Sequence, residues 1–204
     1  DNNLAMSVTG FHTDFKDVIV IDNTNAGGSP DNGGNVVSKG LELSTVYSPE
    51  NLLGVGDISF FANYTFTNAN LDGDSTTTDT ESIFAGGRDG SNVPYIPEHV
   101  LSFGADYEIN KFDFGINMTY HSETYGTAEE TETEESIGSA NARAGRIDSA
   151  FLLNLRAGYK INDNYKVITG VNNATDLEYI SSRHPTGARA SAPLTAYIKA
   201  VANF

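Results

Sequence analysis

Residues 112–120 read FDFGINMTY. Phe112, Phe114, Ile116, Met118 and Tyr120 share one parity, while Asp113, Gly115, Asn117 and Thr119 share the other. A strict period of two marks a β-strand with one face in an apolar medium and one in a polar medium. A protein core or a lipid phase would each serve as the apolar medium. The choice between them rests on the flanking sequence.

The same alternation recurs along the chain, with strands expected near 3–15, 37–47, 57–67, 99–108, 112–121, 149–160, 165–175 and 193–204. Ile58, Phe60, Ala62, Tyr64 and Phe66 oppose Asp57, Ser59, Asn63 and Thr65. Leu101, Phe103, Ala105 and Tyr107 oppose Ser102, Gly104 and Asp106, and Phe151, Leu153, Leu155, Ala157 and Tyr159 oppose Asn154, Arg156 and Gly158. In the first strand Phe11 breaks the parity of Leu4, Met6 and Val8, which suggests a bulge.

The connections decide the reading. Residues 109–111 and 161–164 are tight turns and 48–56 is moderate, whereas 16–36, 68–98, 122–148 and 176–192 are long and polar. Short and long connections alternate, as in a membrane barrel with short periplasmic turns and long extracellular loops. A soluble sandwich gives no reason for this asymmetry. Ten strand residues tilted by about 40° cover roughly 25 Å, the height of such a barrel's apolar band. Aromatic residues near strand ends, such as Phe112, Tyr120, Tyr107 and Tyr159, suit a membrane interface. Asp106, Asp113, Asn117, Asn154 and Arg156 are then expected to face the lumen. The fold class is therefore all-β, an antiparallel transmembrane barrel wall of about eight strands in this chain.

Composition agrees with this class. Apolar residues make up 39% and charged residues 19%, and no run approaches the roughly 18 apolar residues of a spanning helix. The net charge of −15 argues against nucleic acid as a partner, because phosphate binding needs a Lys/Arg surplus. There is no cysteine, hence no disulfide framework or thiolate metal site. The opening DNNLAMSVTGF lacks the basic start and apolar core of a signal peptide and begins in mid-strand, as expected of a chain processed or cut from something longer.

Four stretches bring a family into view: GFHTDFKDVIVID at 10–22, SKGLELSTVY at 38–47, NVPYIPEHVLSFGADY at 92–107, and GVNNATDLEYISSRHPTGARASAPLTAYIKAVANF at 170–204. In order and spacing the chain resembles the C-terminal part of the barrel of TonB-dependent outer-membrane receptors. The resemblance implies a barrel of about 22 strands closed around an N-terminal plug. It also implies uptake of a scarce ferric chelate, driven through TonB. The plug and the TonB-contacting segment are absent from these 204 residues. VPYIPEH at 93–99 and RHPTGARASAPLTAY at 183–197 are similar to receptors of the ferric-citrate (ferric dicitrate) type. The implied partners are the ferric chelate, TonB through the missing N-terminal part, and outer-membrane lipid and lipopolysaccharide.

An anionic chelate of this kind draws attention to Arg143, Arg146, Arg183, His184 and Arg189, in or beside the last two long loops. Guanidinium forks hold carboxylates in bidentate fashion, so some of these are candidate ligand-binding residues. Their bland reading is pairing with nearby carboxylates or with lipopolysaccharide phosphates. The run AEETETEE at 128–135 and the segment LDGDSTTTD at 71–79 read as solvated loops, since neither has the full ligand spacing of a Ca²⁺ hand. The four histidines show no zinc spacing, and no nucleophile motif is present, so neither an enzyme nor a cofactor is expected. Two rivals remain at this level. One is a small stand-alone outer-membrane barrel with a structural or adhesive role. The other is a soluble β-domain that binds sugars through its aromatics.

Overall fold

A computed structural model describes residues 3–22, 29–50, 52–133, 143–184 and 187–203. Every regular element among them is a strand. In chain order these are β1 (Leu4–Phe15), β2 (Ile19–Asp22), β3 (Ser29–Asn32), β4 (Val36–Tyr47), β5 (Asp57–Leu71), β6 (His99–Ile109) and β7 (Phe112–His121). They continue as β8 (Thr124–Tyr125), β9 (Arg146–Ile147), β10 (Ala150–Lys160), β11 (Tyr165–Asn172), β12 (Ile180–Ser182), β13 (Arg189–Ala190) and β14 (Thr195–Ala202).

Eight of them form one antiparallel sheet in the order β1-β4-β5-β6-β7-β10-β11-β14. Each strand therefore pairs with its neighbours along the chain, and β1 and β14 stand at open edges. Short connections lie at one end of the sheet. Asn110, at a φ of 54°, makes the tight β6–β7 turn, since asparagine tolerates the left-handed region better than most residues. Long connections lie at the other end, where the pairs β2–β3, β8–β9 and β12–β13 extend beyond the sheet as small two-stranded ribbons.

The two faces differ as the alternation demands, and the burial is inverted relative to a soluble sheet. On the apolar face Phe114 is 44%, Leu155 42% and Ile198 79% exposed. The buried apolar cluster lies elsewhere. Val36, Ala69, Leu71, Phe84, Val93 and Ala128 gather under the long connections, with Val18, Val20 and Ile83 packed against them. Val36, Ala69 and Leu71 share the parity of the polar face, so the loops fold over that face. We call it the inner face. The outer face carries aromatic groups at both ends. Phe112 meets Tyr159 at 4.9 Å near the turns, and near the loops His99 stacks on Tyr64 (6.0 Å) and lies tilted against Phe66 (5.5 Å).

Asp106, Asp113, Asn117, Asn154 and Arg156 all carry the inner parity. Near the loops Asn117 donates to Ser102, Asn154 donates to Asn117, and the Asn173 backbone N–H donates to Asn154. Nearer the turns Arg156 bridges Asp106 and Asp113 at 2.7 Å each, and Lys166 holds the second Asp113 oxygen at 2.7 Å.

Three details depart from the sequence expectation. β1 runs in unbroken register with β4, and the bulge expected near Phe11 is absent. Phe11 instead turns inward and lies over Gly40, its direct partner. β5 continues to Leu71, because Ala69 and Leu71 enter the loop cluster and Asn70 bridges to Asn92. β11 ends earlier than expected, at Asn172, where Asn173 takes a positive φ of 50°.

Inner-face glycines sit opposite large side chains with notable regularity. Phe11 faces Gly40, Phe61 faces Gly104, Tyr197 faces Gly170, and Asp113 faces Gly158. At each site the large group occupies the space where a Cβ would stand. The absence of that atom lets the ring or carboxylate lie along the sheet.

Candidate functional site

The loop layer over the inner face is where the predicted site residues fall. It holds together because three of the long connections, β1–β4, β5–β6 and β7–β10, share the apolar cluster around Phe84, Val93 and Ala128. Burying such side chains contributes roughly 1.5–3 kcal/mol each for the larger ones.

Glu81 is a hub that sequence reading missed. Its carboxylate takes Arg143 at 2.8 Å, and its carbonyl lies 3.1 Å from His184 Nε2. Arg183 is 6% exposed; its Nε donates to the Arg146 carbonyl and its backbone N–H donates to the Tyr95 hydroxyl. Arg146 stands among Glu132 (3.2 Å), Asp148 (3.0 Å) and Glu123 (3.7 Å). The charge of Glu132, followed by that of Asp148, raises its pKa further above the ordinary arginine value. Arg143, Arg146, Arg183 and His184 are thus linked through one another's backbone and through Glu81. Arg189 lies exposed on β13 opposite Ser182.

Two tyrosines complete the knot. Tyr95 has a φ of 65°, an uncommon conformation for a bulky residue, held here by its contacts with Arg183. Burial pushes its phenol above the ordinary value of 10.0. Burial also raises Tyr125, whose hydroxyl donates to Glu132 at 3.1 Å. A raised phenol pKa stabilises the protonated folded form, so its contribution is complete below pH 10 and is lost as pH climbs through the folded value. Tyr95 should therefore ionise later than exposed tyrosines when phenolate absorbance is followed in the complete protein. Tyr95→Phe should reduce the late step to the part owed to Tyr125 and cost about 1 kcal/mol for the lost acceptor. A late step of undiminished amplitude after the substitution would show that Tyr95 does not contribute to it.

The two acidic loops behave as local braces. Asp74 accepts the Asp89 N–H, Asp79 accepts the Glu81 N–H, and Glu130 accepts the Asn92 N–H. Glu134 and Glu135 lie outside the described residues. Among the described residues no group of three or more His, Asp or Glu is placed to hold a metal ion. His121 rests on the Tyr179 ring at 5.6 Å.

A polar cleft of about 380 Å³ opens at the loop ends of β5, β6 and β7, lined by Thr67, Asn92, Glu98, Ser122, Glu123 and Tyr125 among others. A second, apolar cleft of about 390 Å³ lies between Val18–Val20 and Ser82–Phe84, with His184 at its side.

Comparison with known proteins fits this architecture. The ferric citrate transporter FecA in its unliganded form superposes with a TM-score of 0.76 at 23% identity, over 100% of this chain and 29% of that one. The ferric yersiniabactin uptake receptor FyuA from Yersinia pestis gives 0.72 at 15% identity, over 100% and 28%. The siderophore receptor PiuA from Acinetobacter baumannii gives 0.67 at 21%, over 98% and 26%. These likenesses establish a shared fold, and the chain spans less than a third of the length of each of these proteins. Residues 1–174 match the family described as TonB dependent receptor-like, beta-barrel. With most of its length matched and its eight-stranded antiparallel wall in the same fold, the chain belongs to that family of receptor barrels.

Proposed function

We propose that this chain is part of the wall and mouth of an outer-membrane receptor that takes up a ferric chelate. The observation that carries the reading is the inverted sheet. An apolar face exposed along eight strands, rimmed by aromatic groups, needs lipid rather than water, while the opposite polar face lies under a folded loop layer. The loops would capture the chelate and the polar face would line its path. TonB would act through a region outside these residues, and lipid with lipopolysaccharide would surround the outer face.

Ferric citrate is one member of the class. In that version its carboxylates would meet Arg143, Arg146, Arg183, His184 or Arg189, in competition with Glu81, Glu132 and Asp148.

The test is accumulation of labelled iron from a panel of ferric chelates. It compares iron-starved cells with and without the complete receptor, and with and without TonB. Uptake that needs both proteins is expected for at least one chelate. Equal accumulation in all strains across the panel would remove the proposal.

A further inference from the structure

The last long connection, residues 173–194, is held differently from the other three. None of its described residues joins the apolar cluster that the others build. Its base is closed by Asn173, 5% exposed, whose amide donates to the Leu177 and Ala192 carbonyls and whose oxygen accepts the Leu177 N–H. Asn173 and Asp176 take left-handed φ values of 50° and 51°, so the chain bends sharply as it leaves the sheet.

Beyond the bend, a cavity of about 230 Å³ is lined by Tyr179 and Ser181 of this connection and by Tyr95, Pro97, Thr124 and Ile147 of two others. The contacts that join the connections beside it are polar and centre on Arg183. Its side chain enters a slot that two glycines leave open. A Cβ at Gly126 would stand 3.1 Å from Arg183 Cδ, and one at Gly145 would stand 3.3 Å from its Cζ. The Gly126 N–H donates to the Gly145 carbonyl, which keeps the two glycines side by side. Within the slot Arg183 is 6% exposed, with its Nε on the Arg146 carbonyl and its backbone N–H on the Tyr95 hydroxyl. Next to it, His184 Nε2 lies 3.1 Å from the Glu81 carbonyl. A buried guanidinium is costly unless hydrogen bonds hold it, and one enclosed this far has little surface left for a ligand.

We propose that Arg183 is a positioning residue, a pin that fastens the β12–β13 ribbon to β8–β9 and Tyr95 and so sets how the last connection stands over the inner face. The inference rests on the chelate-uptake reading and takes Arg183 out of the groups that touch the chelate. Without the pin the connection swings about Asn173, and a captured chelate escapes faster.

The test uses the complete receptor in outer-membrane vesicles. Spin labels are attached at Ser149→Cys, beside β9, and Ala188→Cys, beside β13; both positions are exposed, and this chain has no cysteine of its own. In the parent the distance between the labels should be narrowly distributed. Arg183→Ala should about double the width of that distribution. Arg183→Lys should broaden it as well, because an ammonium does not reproduce a planar guanidinium, and this variant serves where alanine prevents folding. Arg189→Ala, on the same ribbon but exposed, should leave it unchanged. Ferric citrate and a neutral ferric trihydroxamate are the binding probes. Loss of the pin should speed the release of either by about tenfold, whatever its charge. Loss of a charge contact would instead weaken the anion alone, and lysine would repair it. An unchanged distance distribution in Arg183→Ala overturns the pin and leaves chelate uptake standing. So does a defect confined to ferric citrate and rescued by Arg183→Lys. Binding of neither probe by the parent counts against chelate uptake, and the label distances still decide the pin.

Discussion

Gly104→Ala is expected to destabilise the complete barrel by about 3 kcal/mol, at the upper end of what one extra methyl group costs in a tightly packed site. Gly104 lies in the middle of β6, opposite Phe61 on β5 and Asn117 on β7. A Cβ there would collide with the Ile116 carbonyl oxygen and press into the Phe61 ring at 2.7 Å. A side-chain tip moves cheaply, but a ladder carbonyl moves only with its strand. The substitution therefore strains the β6–β7 pairing or expels Phe61 from its position along the sheet. Gly10→Ala supplies the control. It adds the same methyl to a strand, but the nearest atom is a Leu41 methyl at 3.6 Å, so the change should stay within about 0.5 kcal/mol. The readout is the temperature at which the folded band of the purified receptor is lost on unheated gels. Equal melting of the two variants would contradict the crowding described at Gly104.

Arg156→Ala should cost about 2–3 kcal/mol. Asp113 is only 7% exposed, and its carboxylate depends on Arg156 and Lys166. Removing one partner of a fully buried ion pair costs about 3–5 kcal/mol. The smaller figure here reflects an Arg156 side chain that is more than a third exposed and a Lys166 contact that remains. Arg156→Lys should rescue little, because one ammonium cannot replace a planar fork whose two Nη atoms each hold a different carboxylate. In a cycle with Asp113→Asn, the coupling should exceed 1 kcal/mol. A cost near zero for Arg156→Ala, with no coupling, would mean that the network behaves as an exposed surface pair.

Much of this architecture was legible because the sheet is so regular. The period of two in 112–120 and its repeats located all eight long strands, and the alternation of short and long connections located their two ends. What escaped is long-range in origin. Phe11, Phe61 and Tyr197 point inward although they are aromatic, because each has a glycine directly across the ladder, and pairing register is not written in either strand alone. The grouping of loop side chains was legible in the same partial way. Arg143, Arg146, Arg183 and His184 could be picked out as cations of the last loops. Glu81 lies far upstream in a segment without periodicity, and it meets Arg143 and His184 where the loop containing Phe84 joins a shared apolar cluster. Tyr95 showed no signal beyond its place between two prolines.

The pairing of bulk with glycine also shapes the relief of the inner face. Where Phe61, Tyr197 and Asp113 lie down against the sheet instead of standing up from it, the inner face is low in relief. Under the proposed function, a body passing over these strands would trade one polar contact for another rather than climb over protruding rings.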